Sequence, residues 1–267
     1  MASQASVKGH GIPPLIELVQ KNLLETSDQF SRARLLAASQ PESGSWISAI
    51  PVPSLGTQLS PDELRIAMAL RTGSKICENH KCKCGRNADQ YGYHLLSCQF
   101  NEGRHPRHAA LNDIICRALK SAGLFSILEP VGLNRSDGKR PDGISVFPFS
   151  HGKSLCWDAT CVNTFCESAV NGSAVEAGYA ASKAENTKRD KYSLIGNRYR
   201  FEPVAVETSG VFGSSTRNIV NEIGRRISEK TGEKRESMWL KQRLNIAIQR
   251  GNALSIISSA IHLSGVS

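Results

Sequence analysis

The spacing of apolar positions changes along the chain, and those changes predict its elements. From Ile12 to Ala38, Leu15, Leu18, Val19, Leu23 and Leu24 recur near every 3.6 residues and predict one helix. Gln40 to Ser45 reads as a loop. A second helix is predicted from Pro61 to about Arg71. Ser60 can cap it, Pro61 fits its first turn, Glu63 completes a capping box and Gly73 ends it. After Arg104-His105-Pro106-Arg107-His108, a third helix places Leu111, Ile114, Ile115, Ala118 and Leu119 on one face and stops at Gly123. The period then shortens. Phe125 to Val131, a segment through Asp142 to Val146, and Leu155 to Thr160 predict three strands, and a turn at Gly152-Lys153 folds the last two into an antiparallel hairpin. Glu176 to Leu194 is helical again, Phe201 to Thr208 is a fourth strand, and a long basic helical region begins at Ser214. Helix, three strands, helix, strand and helix predict an α/β sandwich with a mixed sheet.

Size and charge narrow the class. With 267 residues, 40% of them hydrophobic and 21% charged, the chain can bury a sizeable core and is neither fibrous nor disordered in composition. A net charge of +9 and a pI of about 9.2 point to an anionic partner, most simply nucleic acid. The excess concentrates between Lys183 and Arg250, where fifteen Lys and Arg face eight Asp and Glu. A solvated face carries such charge too, so this supports a nucleic-acid partner without requiring one. No secretory leader is visible after Met1, and the apolar stretch from Ala253 to Leu263 is short and broken by serines. A nuclear or cytoplasmic protein with no membrane partner is expected.

Two clusters carry candidate chemistry. Four of the eight cysteines fall between Cys77 and Cys98, interleaved with His80 and His94. Thiolates and imidazole at short spacing, with Gly85 and Gly92 at the turns, fit a closed structural Zn²⁺ site. Cys82, Cys84, His94 and Cys98 are the favoured ligands, with Cys77 and His80 as alternates. Cys116, Cys156, Cys161 and Cys166 lie in apolar segments and read as buried thiols. The second cluster is the hairpin from Lys139 to Thr160, with Asp142 on one strand and Asp158 on the other. Carboxylates held together repel unless a cation sits between them, so the pair suggests Mg²⁺ or Mn²⁺; ordinary strand-end aspartates are the alternative. His108 and Asn112, one turn apart near a helix start, could reach a phosphate or could simply form a cap and a basic turn.

Pro141-Asp142 on the second strand and an acid on the third make this order resemble the PD-(D/E)XK restriction-endonuclease-like fold. The resemblance implies a metal-dependent phosphodiester hydrolase with Asp142 and Asp158 as ligands and Glu129 as an accessory acid. The family lysine normally stands two residues after the second acid, where this chain has Thr160. Some members carry it on the following helix. Lys188 is nominated there, on a polar face with Glu185 and Tyr192, with Lys183 and Lys191 as rivals.

A narrower resemblance spans roughly residues 46 to 252. Cys82-Lys83-Cys84-Gly85, His94, Cys98, Gly103-Arg104-His105, Arg107-His108, Glu129-Pro130, Gly138 to Gly143, Trp157 to Thr160, Gln242-Arg243 and Gln249 to Asn252 are similar in order to the C-terminal region of non-LTR-retrotransposon-type reverse transcriptase polyproteins. There a zinc knuckle precedes a restriction-like endonuclease that nicks target DNA. The similarity implies an N-terminal helical segment (1–75), a zinc knuckle (76–103) and a nuclease-like domain with basic C-terminal helices (104–267). It also implies DNA, and element RNA, as partners, with Arg104, Arg107, His108, Arg140, Lys183, Lys191, Arg243 and Arg250 as contacts. No Tyr-x-Asp-Asp polymerase motif occurs, so a fragment or degenerate copy is expected. Beside the endonuclease stand two other readings: a nucleic-acid-binding remnant without catalysis, and a zinc-stabilised protein-interaction module.

Overall fold

A computed structural model describes residues 12–133 and 140–260; Gly138 and Lys139 of the hairpin motif lie outside them. The first predicted helix is two: α1 (Ile12–Thr26) and α2 (Gln29–Ala38). The break has a local cause. Asp28 is extended, and its carboxylate accepts the Ser31 N–H at 2.9 Å, capping α2 in place of a continuing helix. Leu15, Leu18, Val19 and Leu23 of α1 are exposed. Helix α3 (Pro61–Thr72) begins with the expected Ser60–Glu63 capping box and ends on Gly73 in the left-handed region.

A short ribbon, β1 (His80–Lys81) with β2 (Asn87–Ala88), carries the cysteine turn. Helix α4 (Arg104–Ser121) leads into the main sheet of β3 (Ser126–Leu128), β4 (Gly143–Ser150), β5 (Lys153–Val162) and β6 (Arg200–Glu207). These four strands lie in order β3-β4-β5-β6; β4 is antiparallel to both β3 and β5, and β6 runs parallel to β5. The predicted strand Phe125 to Val131 is curtailed because Glu129 takes φ 49° and Pro130 offers no N–H. Between β5 and β6 stand the single turn α5 (Val170–Ser173) and α6 (Tyr179–Lys191), shorter than expected because Gly178 turns left-handed before it. The basic tail resolves into α7 (Ser214–Thr231) and α8 (Glu236–Ala260), separated at Gly232. The fold is therefore mixed α/β, a four-stranded mixed sheet flanked by helices.

Helix α8 is the axis of the packing. Leu240, Leu244 and Ile248 join the main core beneath the sheet, with Leu111, Leu119, Trp157 and Ile223. Ala253 and Ile256 of the same helix enter a second core with Ala33, Ile66, Leu70, Leu95, Leu96, Cys82 and Cys98. Helices α2 and α3 and the cysteine turn thus share a core with α8, the last helix among the described residues. Gly103 and Gly251 allow its close crossing with α4, since a Cβ on Gly103 would lie 2.1 Å from the Gly251 carbonyl oxygen.

Candidate functional site

The pairing of Gly143 with Trp157 across β4 and β5 sets Asp142 opposite Asp158 at the same end of the hairpin. Gly143 is required there, because a Cβ would meet the Trp157 ring at 2.1 Å. The Trp157 indole N–H donates to Asn112 Oδ1 at 3.0 Å, which fixes α4 against β5. One turn earlier on α4, His108 Nε2 donates to Asp142 Oδ2 at 3.0 Å, and the Ala159 N–H reaches the same oxygen at 2.7 Å. On the other side α6 delivers Lys188, whose Nζ donates to Asp158 Oδ2 at 2.6 Å; Lys191 Nζ lies 3.7 Å away. Two carboxylates, an imidazole and two ammonium groups therefore meet at one end of the sheet.

Their environments separate the carboxylates. Burial pushes the Asp142 carboxyl up, but the His108 hydrogen bond, the imidazole charge and the Ala159 N–H together carry it below its ordinary value. Asp158 is the more buried, and desolvation holds its carboxyl above the ordinary value despite Lys188. The bond to Asp142 raises the His108 imidazole against the opposing effect of burial.

The other nominated residues fall in several places. Glu129 donates its N–H to the Asp142 carbonyl at 2.8 Å, but its exposed carboxylate pairs with Arg140. Lys183 is exposed on α6, and Arg104 is exposed at the start of α4. Arg107 points inward: it is 2% exposed and donates to Asn252 Oδ1 at 2.7 Å and the Leu96 carbonyl at 2.9 Å. Arg250 spans to the Gly56 and Gln58 carbonyls and to Glu63, tying α8 to the N-terminal segment. Arg243 is half-buried on α8, where desolvation lowers its guanidinium. Glu185 and Tyr192 do not form an exposed polar face with Lys188, since both are 1% exposed.

Glu185 has a different task, which sequence did not reveal. Its carboxylate accepts the N–H groups of Ser215 and Thr216 at 3.1 and 3.0 Å, capping α7. Gly213 leaves room, because a Cβ there would stand 2.1 Å from Glu185 Oε1. Glu207, fully buried at the end of β6, does the same for α6, accepting the Ala181 N–H at 3.2 Å and the Thr164 hydroxyl at 2.9 Å. Burial raises its carboxyl despite those donors. The absence of a side-chain N-cap at both helix starts was the available signal.

The cysteine turn brings together Cys82, Cys84, His94 and Cys98, whose ligand atoms all lie within 4.8 Å of one another. The Gly85 N–H closes the turn on the Cys82 carbonyl at 2.8 Å, and Cys84 Sγ sits 3.1 Å from His94 Nε2. Tetrahedral zinc needs such ligand atoms roughly 3.5–4 Å apart, so a Cys₃His set of this spread fits the ion. Cys77 and His80 point elsewhere, to the Asp89 carbonyl and to Ser259. Burial and nearby Arg86 lower the His94 imidazole, which favours the neutral, ligating form. Cys116 and Cys156 are buried, whereas Cys161 and Cys166 are only half-buried.

No family model matches the chain. In an alignment of 174 residues that covers 61% of the chain, it is 26% identical to the retrotransposable element SLACS 132 kDa protein of Trypanosoma brucei gambiense. The matched part is 14% of that protein's length. Among the described residues no helix is long and apolar enough to cross a membrane.

Proposed function

We propose that the chain is a retrotransposon-derived, PD-(D/E)XK-type endonuclease region that nicks DNA by metal-dependent phosphodiester hydrolysis. The observation that carries this reading is Lys188 Nζ at 2.6 Å from Asp158, with Asp142 opposite across the hairpin. A lysine from α6 takes the place that Thr160 leaves vacant on β5. Three antiparallel strands followed by a helix and a parallel fourth strand support the same reading.

The donor set is hard. Two carboxylates suit Mg²⁺ or Mn²⁺, which when bound supplies a Lewis acid and a water of lowered pKa. The chain's own groups do the rest. Lys188 and Lys191 place positive charge where the phosphate must accumulate negative charge. His108 and the Ala159 N–H orient Asp142, and Trp157 with Asn112 holds His108 in reach. Cys82, Cys84, His94 and Cys98 would hold a structural Zn²⁺, and the similarity to a retroelement protein supports DNA, with element RNA, as partner.

A specific observation favours the alternative, a binding remnant without catalysis: the Glu129 carboxylate is paired with Arg140. Incubating the full chain and its Asp142→Ala and Asp158→Ala variants with supercoiled plasmid and Mg²⁺ separates the two. Nicking by wild type alone supports the endonuclease. Binding without nicking by all three supports the remnant.

A further inference from the structure

Towards the turn end of the hairpin, away from Asp142, a cavity of about 440 Å³ opens between the β4–β5 turn and the end of α6. His151, Lys153, Arg189, Tyr192, Tyr199 and Phe201 line it, and none of its described lining residues is acidic. Two aromatic side chains are partly open in it: Phe201 is half-buried and packs 4.8 Å from the buried Tyr192 ring with planes tilted by 40°, and Tyr199 is half-buried. Its rim is cationic. Arg189 is 46% exposed, and Lys153 is steadied by the Gly196 carbonyl at 3.2 Å.

Lys191 links this cavity to the carboxylate site. Its Nζ is 3.7 Å from Asp158 Oδ2 and 4.5 Å from the centroid of the Tyr192 ring. A strand with a phosphate at Lys191 would run on towards Tyr199 and Phe201. Paired bases are stacked inside a duplex and offer such rings nothing, so a duplex would use the cations alone. Aromatic faces combined with cations match an unpaired strand, whose bases stack while its phosphates meet Lys and Arg.

We propose that this cavity binds an unpaired nucleic-acid strand along the hairpin from the carboxylate site, with bases on Tyr199 and Phe201 and phosphates at Lys153 and Arg189. Its place in a reaction rests on the endonuclease reading; its binding does not require cleavage. The test is fluorescence anisotropy of the full chain, zinc retained and no other divalent cation added, with labelled oligothymidylate, oligouridylate and a duplex of equal length. Tyr199→Ala and Arg189→Ala are each expected to weaken binding of a single strand about tenfold. Duplex binding should change less than about twofold, Tyr199→Phe should bind single strands like wild type, and Asp158→Asn should retain single-strand binding. The two oligonucleotides distinguish DNA from RNA as the source of the strand. The proposal is overturned if wild type does not bind single strands, if Tyr199→Ala binds them normally, or if it loses single strand and duplex equally while its melting temperature is unchanged. Loss of single-strand binding in the cavity variants of a protein that never nicks DNA would sink the endonuclease reading and leave the cavity standing.

Discussion

Arg107 and Asn252 meet at 2.7 Å in the interior, joining the second turn of α4 to α8. Through the Leu96 carbonyl, Arg107 also holds the segment that carries His94 and Cys98, and Asn252 in turn donates to the Thr208 carbonyl beyond β6. A buried guanidinium with such partners is part of the frame. Arg107→Ala should cost about 3 kcal/mol through lost charge-assisted hydrogen bonds and a gap between the helices. Thermal and urea unfolding check this. An unchanged melting temperature together with weakened DNA binding would instead make Arg107 a nucleic-acid contact.

Zinc removal should be felt beyond the cysteine turn. Cys82 and Cys98 share a core with Ala33, Leu70, Ala253 and Ile256, so loosening the turn exposes α2, α3 and the end of α8 as well. A chelator should lower the melting temperature and open residues 77 to 98 to protease. Cys84→Ser should lose the metal, while Cys77→Ser and His80→Ala should keep one zinc per chain by elemental analysis. Full protease resistance after chelation would contradict the assignment.

The His108–Asp142 pair gives stability a defined pH dependence in the absence of divalent cations. Asp142 is depressed, so its contribution is present above the ordinary carboxylate value of 3.8 and is lost as pH falls through its lower folded value. His108 is raised, so its contribution is complete below 6.5 and is lost as pH rises through its higher folded value. The stability gap between wild type and His108→Ala should therefore be widest between pH 3.8 and 6.5 and should narrow on either side. NMR titration of the imidazole should place its midpoint above 6.5. A midpoint at or below that value would dissolve the pair.

Glu185 connects helix capping to the site. Glu185→Ala leaves the first N–H groups of α7 unsatisfied and removes a buried anchor one turn before Lys188. It should cost about 3 kcal/mol in unfolding free energy. Glu185→Gln keeps one acceptor and should recover part of that loss. Equal stability of all three proteins would refute the capping role.

Much of the framework was legible in the sequence because local rules decide it. The Ser60–Glu63 box marked the start of α3, the β-branched and apolar run around Asp158 marked β5, and the cysteine spacing marked the turn that gathers three thiols and an imidazole able to hold a metal. Contacts between distant segments were not legible. Nothing local distinguishes Arg107 from Arg104, although α8 crosses α4 at Gly103 and swallows only the former. Glu185 looked like one member of a polar helical face because its partners lie some thirty residues onward, at a helix start with no cap of its own. The α1–α2 break was masked by apolar spacing that continues across it, while Asp28 alone carried the signal.

If Asp142, Asp158 and Lys188 form one hydrolytic site, conversion of supercoiled to open-circular plasmid reports it without an intermediary. Wild type with Mg²⁺ should nick, and EDTA should stop it in the zinc-loaded protein over a time too short to strip the zinc. Asp142→Ala, Asp158→Ala and Lys188→Ala should each lose at least about a hundredfold in rate while retaining fold and DNA binding. Lys183→Ala should nick at the wild-type rate. Equal nicking by wild type and Asp158→Ala, or none by either with DNA bound, would rule out a hydrolytic site at these residues.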